Sequence, residues 1–412
     1  MTRRRRIIAL LMVAGLGVSC SARGGGAGST NVRAGVIKPL AGHTAAPAVR
    51  SWTPWPQALY DAQHSGASPA VGPRTGHLRW TRRLEGNITP GPVIAADGTI
   101  YVASNAGVLH ALDPVTGKDR WVVDEHGSYG ADQSTSAAVL PSSMVLWPGP
   151  NGNLVALTTD GRVSWRLHLG GQVTSPAVRA DGEVVVGNDA GLLLRLHPTA
   201  KGPGEQWRVE LGEQSYGSPV FSTDGATAYQ SVVSGVFAVA AGKVLWHSTA
   251  PKETVEVSPA VAPDGTVVIG SNDHHEYGLD PRDGSVRWTH QLGFTTYSSP
   301  GVTRDGISYL GDHGNKITGL DAATGKVAFA FQGSAKDNGP GGIGIWTSVL
   351  VDAHHSVYAG TRQGLVYGAD RSGHLLWTVE AGATVDSYPA LTRDGALVIG
   401  TTDGRLLAIS DG

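Results

Sequence analysis

Five residues of ligand-binding type occupy equivalent points of a repeating sequence: Tyr216, Glu256, Tyr297, Trp346 and Asp386. Each lies two residues before a Ser-Pro-like element, or before the residue standing in for its serine. The other units place Asn87, Ser134 and Val173 there. A position that a fold needed filled in one way would show one residue type in every unit, and this one does not. Three aromatics and two carboxylates around one entrance would suit a small polar ligand or a peptide segment. The longest insertion, Gly333 to Gly344, falls at the same end and reads as a loop beside that entrance. Two histidine pairs, His274-His275 and His354-His355, sit at turns of different kinds, on opposite ends of a repeat unit. They cannot share a metal and read as solvated turn residues. Cys20 is the one cysteine, which rules out an intrachain disulfide and a cysteine-built zinc site. His-Glu-x-x-His, Gly-x-Ser-x-Gly and the phosphate-binding Gly-x-x-x-x-Gly-Lys-Ser/Thr are absent from the sequence.

What must position these residues is a repeat. Trp80, Trp121, Trp165, Trp207, Trp246, Trp288, then Phe329 in the tryptophan position, then Trp377 recur with a mean spacing of about 42 residues. After each comes a Ser-Pro-apolar stretch such as Ser175-Pro176-Ala177-Val178, then an Asp-Gly turn such as Asp181-Gly182, then a β-branched run such as Val184-Val185-Val186. Asp bonds its own backbone and Gly accepts positive φ, so the pair makes a tight reversal. A further turn leads to a third strand, and the tryptophan strand follows. Consecutive apolar residues mean strands covered on both faces. A lone four-stranded sheet cannot cover both its faces, whereas sheets stacked around an axis can.

The sequence therefore predicts an all-β, eight-bladed β-propeller of four-stranded antiparallel blades. The repeats open with a lone tryptophan strand near Leu78 to Leu84 and end with three strands, Pro389 to Ser410. Pairing the first with the last three closes the ring and hides sheet edges. No segment beyond the N-terminus shows helical periodicity.

The N-terminus reads as an address. Arg3 to Arg6 precede a twelve-residue apolar run, Ile7 to Val18, too short to span a bilayer and suited to a signal peptide. Gly17-Val18-Ser19-Cys20 resembles a bacterial lipobox, although Gly17 departs from the usual Leu; the resemblance implies a lipid on Cys20. A plain secreted protein and twin-arginine export stay open as alternatives. We assign residues 1–19 to a lipoprotein-type signal peptide, 20–50 to a flexible tether and 51–412 to the propeller. The expected location is extracytoplasmic, with the membrane reached through Cys20. Lys+Arg number 32 against 34 Asp+Glu, and four of the cations are Arg3 to Arg6. So mildly acidic a body argues against nucleic acid as partner.

Asp97 to Trp121, with Asp-Gly-Thr-Ile-Tyr-Val-Ala-Ser followed by Gly-Val-Leu-His-Ala-Leu-Asp-Pro-x-Thr-Gly-Lys, resembles the PQQ-like β-propeller repeat. Trp55-Pro56 and Asp61 to Gly66 resemble the lead-in of that family. The resemblance covers about residues 52 to 412 and implies the fold. It leaves function open, since the repeat occurs in quinoprotein dehydrogenases and in non-catalytic lipoproteins such as the BamB-like propellers. The quinoproteins use PQQ, calcium, a vicinal cysteine pair and a catalytic Asp, and this chain has no cysteine pair. The preferred reading is a monomeric envelope binding or scaffold propeller without cofactor, engaging an envelope protein. A small-ligand or glycan binder at the channel mouth is one alternative. A PQQ-dependent oxidoreductase with calcium is the other.

Overall fold

The computed structural model describes residues 55–127, 129, 135–254, 256–333 and 344–412. The proposed signal peptide, Cys20, the tether, Ser134 and most of the 333–344 insertion lie outside the described residues. Thirty-two strands form eight four-stranded antiparallel sheets, as the repeat predicts. The inner strands, which define blades 1 to 8, are Val93–Ile94, Ala138–Val139, Ala177–Val178, Val220–Phe221, Ala260–Val261, Gly301–Val302, Leu350–Val351 and Ala390–Leu391. Blade 8 takes its outer strand, His77–Arg83, from the N-terminal side, paired with Arg405–Ser410. The ring closes as expected. Apart from one 3-10 turn at Pro150–Gly152, no helix occurs among the described residues, so none there is long and apolar enough to cross a membrane.

Burial follows the argument from strand composition. The second strand of blade 3, Val184–Gly187, is buried along its whole length, while the outer strand of blade 2, Val163–His168, alternates between exposed and half-buried. The outer strands carry a bulge beside the tryptophan, as between Trp207 and Glu205, which twists the open edge away from pairing with another chain.

The repeated tryptophan fastens blade to blade. Trp80 Nε1 donates to the Pro114 carbonyl of the next blade at 3.1 Å. Trp121 does the same to Thr159, Trp165 to Thr199, Trp246 to Pro281, Trp288 to Ala322 and Trp377 to Pro73. The acceptor turn lies so close to the ring that only glycine fits beside it. At Gly284, with φ +72°, a Cβ would come within 2.6 Å of the Trp246 ring. The Ser-Pro serines add an inner belt: Ser136 N–H donates to Ser175 Oγ, Ser218 to Ser258, Ser258 to Ser299 and Ser299 to Ser348, at 2.8–3.2 Å.

One feature does not repeat. The lead-in, residues 55–73, runs around the channel at the end where the Asp-Gly turns lie and serves the inner edges of the blades in ring order. Ile94 N–H donates to Trp55 O, Val139 to Pro56 O, Phe221 to Ala62 O, Val261 to Gln63 O, Val302 to His64 O and Val351 to Gly66 O. At blade 3 the Gln57 side chain replaces backbone, taking the Val178 N–H on Oε1 and donating from Nε2 to the Val178 carbonyl at 2.9 Å. The inner strand of a propeller would otherwise leave these N–H groups unpaired in the channel. Contact is close enough at blade 6 to demand glycine on both sides: a Cβ at Gly66 would lie 3.1 Å from Gly301 Cα, and one at Gly301 would lie 3.1 Å from Gly66 Cα.

Candidate functional site

The blade-to-blade connections and the turns between second and third strands share the end of the ring opposite the lead-in. Tyr216, Glu256, Tyr297, Trp346 and Asp386 lie on such connections, ahead of blades 4 to 8, and all are half-buried. The register of blade 1 puts Thr89, not Asn87, at the corresponding point, because Gly91-Pro92-Val93-Ile94 aligns with Ser175-Pro176-Ala177-Val178. Asn87 is exposed and Val173 is buried against the bridge to Asn188, so neither joins the others.

Tyr297 and Trp346 meet, with ring centroids 4.6 Å apart. Two residues that sequence reasoning did not select complete this cluster. His313 stacks on Trp346 at 4.4 Å and 5°, and the Arg362 guanidinium lies 3.2 Å from the centroid of the Trp346 ring. Arg362 also pairs with Asp386, Nε to Oδ1 at 3.3 Å. Thr295 Oγ1 and His313 Nδ1 are 2.9 Å apart. Burial, with the Arg362 charge adding to it, lowers the His313 pKa to about 4, so the imidazole is neutral at pH 7. Burial raises the Tyr297 phenol, and the Glu256 and Glu253 carboxylates add to the shift. His313 Nε2 and Trp346 Nε1 are buried with no hydrogen-bond partner among the described residues. Tyr216 stands two blades from Tyr297, its hydroxyl bonded by Gln214.

Below this cluster the blade 8 side chain Tyr388 turns into the channel. Tyr388 takes the place of the Ser-Pro serine in blade 8, and its phenol lies near the Ser299 and Ser348 side chains of blades 6 and 7. Burial raises its pKa. A Cβ at Gly91, next round the ring, would stand 2.9 Å from the Tyr388 Cβ. The ends of the 333–344 insertion are pinned over the cluster, Gly333 N–H to Asn315 O and Gly344 N–H to His313 O. The histidine pairs lie at connections on opposite ends of their blades, as expected. Among the described residues no three His, Cys, Asp or Glu side chains come together as a metal would require.

Comparisons with known proteins agree with this architecture. Residues 66–133 and 198–412 match the family described as outer membrane protein assembly factor BamB. Among curated relatives, Protein Rv3035 of Mycobacterium tuberculosis is 24% identical over 279 residues, covering 58% of this chain and 66% of that one. The outer membrane protein assembly factor BamB of Yersinia pestis is 24% identical over 223 residues, covering 47% of this chain and 55% of that one. The chain thus spans about half to two thirds of the length of these two relatives. Among solved structures, BamB from Moraxella catarrhalis aligns with a TM-score of 0.61 at 13% identity, over 81% of this chain and 97% of that one. The quinohemoprotein alcohol dehydrogenase from Comamonas testosteroni aligns at 0.69 and 15%, over 88% and 81%. At such identities the structural likeness carries the fold alone.

Proposed function

We propose, from the premise that this chain belongs to the PQQ-like propeller family described as outer membrane protein assembly factor BamB, that it is an exported, non-catalytic binding or scaffold protein of the cell envelope. The observation that carries this reading is the partly filled axis. The lead-in lines one end of the channel, Tyr388 packs inside it against Gly91, and what is left for a partner is the loop end and the outer rims of the blades. Cys20, by its lipobox-like setting, would tether the ring to a membrane. The partner is then an envelope protein that docks on loops or blade edges.

A PQQ-dependent reaction finds little support in the residues present. A planar quinone needs an open aromatic or apolar face. The Trp346 ring is already engaged, stacked on His313 and met by the Arg362 guanidinium. The chain also lacks the vicinal cysteines of the quinoproteins. A small-ligand role at the mouth is favoured by one observation, the two buried ring nitrogens of His313 and Trp346 that lack partners among the described residues.

The test is crosslinking from intact envelopes, followed by reconstitution of the captured complex from purified components. A saturable complex with one envelope protein is expected, and Cys20→Ser should release the propeller from the membrane fraction. Absence of any reconstituted complex, or dye-linked turnover of alcohols or sugars on adding PQQ and calcium, would overturn the reading. Thermal-shift screening with sugars and polyols addresses the mouth, where a ligand at a hundredfold its dissociation constant should add about 2.7 kcal/mol.

A further inference from the structure

The lead-in does more than cap inner strands: it floors a cavity of about 780 Å³ at its own end of the ring, far round the fold from the loop-end cluster. That volume lies within the range of small-molecule sites, about 300–1,000 Å³. The walls come from the first turns of blades 1 to 3, with Ala95, Val139, Leu140, Pro141 and Val178 giving them an apolar character. The floor is strained. Leu59 and Tyr60 are consecutive non-glycine residues at φ +54° and +81°, a conformation that costs about 1–3 kcal/mol per residue and concentrates at functional sites.

The charges around the cavity are already committed, with one exception. Arg179 pairs with Asp181 at 2.9 Å and donates to the Gly225 carbonyl. Asp97 accepts from Thr99 and Arg120. Asp61 turns its carboxylate to the Gln63 and Ser65 N–H groups and the Ser65 hydroxyl. Arg304, on the blade 6 side, is exposed and makes no hydrogen bond or salt bridge with a described residue, although its charge reaches Asp61. It also lines a second cavity of about 240 Å³ between blades 5 and 6. An apolar chamber with one uncommitted guanidinium at its edge is complementary to an apolar body that ends in an anion.

We propose that this cavity binds a small anionic amphiphile, its apolar part against the blade 1 to 3 turns and its anion on Arg304. The proposal is independent of the scaffold reading, because it uses the opposite end of the ring.

The test uses the full chain and two dyes of nearly the same shape: 1-anilinonaphthalene-8-sulfonate and its uncharged counterpart N-phenyl-1-naphthylamine. Both should bind at a single saturable site. Arg304→Ala, at an exposed position that leaves the fold intact, should weaken the sulfonate by about tenfold and the neutral dye by less than about twofold. Ala96→Trp, on the exposed rim of the wall, should weaken both, and Ala180→Trp on the facing wall should do the same. Failure of the sulfonate to saturate a single site, equal effects of Arg304→Ala on the two dyes, or binding indifferent to both tryptophans would each overturn the proposal.

Discussion

Replacing Gln57 by Ala tests whether the lead-in acts as a structural edge. The Gln57 side chain is 2% exposed, and its amide satisfies both the N–H and the C=O of Val178. Truncation leaves a buried donor and a buried acceptor without partners, at about 1–3 kcal/mol each. Gln57 also lines the 780 Å³ cavity, so water can reach part of the vacated space, which favours the lower half of that range. The expected loss is about 2–4 kcal/mol. Gln63→Ala is the internal control. Its side chain makes one bond, to Ser222 O at 3.2 Å in a half-buried setting, and should cost about 1 kcal/mol or less. Gln57→Glu sharpens the comparison. An ionised glutamate can accept from the Val178 N–H but sets its second oxygen against the Val178 carbonyl, whereas a protonated one can donate to it. Its folded pKa should therefore rise, with stability kept at acid pH and lost as pH climbs through that value. Equilibrium urea unfolding followed by tryptophan fluorescence measures all three. If Gln57→Ala unfolds within about 0.5 kcal/mol of the parent at an unchanged slope, the lead-in is not an edge that the blades depend on.

Removing the last twenty residues deletes Leu397–Gly400 and Arg405–Ser410, the latter being the strand that holds His77–Arg83, and should abolish cooperative unfolding; a truncated protein that melts normally disproves the closure. Glu276 is buried between blades 5 and 6, where it accepts from the Ser308 hydroxyl, and burial raises its pKa from 4.5 to about 7. The neutral acid is stable in the fold, so the cost sets in as pH rises from about 4.5 through 7 and reaches about 3 kcal/mol above that. Glu276→Gln should remove this dependence, a result that parallel pH-stability curves for the two proteins would contradict. Gly301→Ala restores the residue found in blade 3 or blade 5 but drives a methyl to 3.1 Å from Gly66 Cα and Ser65 O; it should cost about 1–3 kcal/mol by calorimetry, and a neutral result would mean the lead-in yields freely.

The ring was legible because its cause is repeated. In six of the eight units the marking tryptophan donates to the turn of the next blade, so the spacing that reveals the repeat is largely the spacing of the fasteners. The closing strand was legible for the same reason, as a fragment of the repeat displaced to the other terminus. What the repeat does not contain was harder to read. Gln57 acts as a strand edge only because of where the lead-in passes, and nothing in its neighbours announces that. Gly301 was a usable signal, since Ser-Pro-Gly stands where other units have Ser-Pro-Ala or Ser-Pro-Val. At the mouth, Tyr297, Trp346 and Asp386 were found through their variation, while His313 and Arg362 were missed because they sit on a different turn of the blade. Asn87 was misplaced because Thr89-Pro90 resembles the element that Gly91-Pro92 in fact supplies.

The lead-in meets blades 1 to 7 in order, and this has a consequence for synthesis. Its acceptors are the earliest part of the propeller to leave the ribosome, yet the last of its partners, Val351, follows almost three hundred residues later. The first-made stretch must therefore wait for its seat. Until the seventh sheet exists, the oldest part of the ring stays only partly seated, its Gly66 end without an anchor.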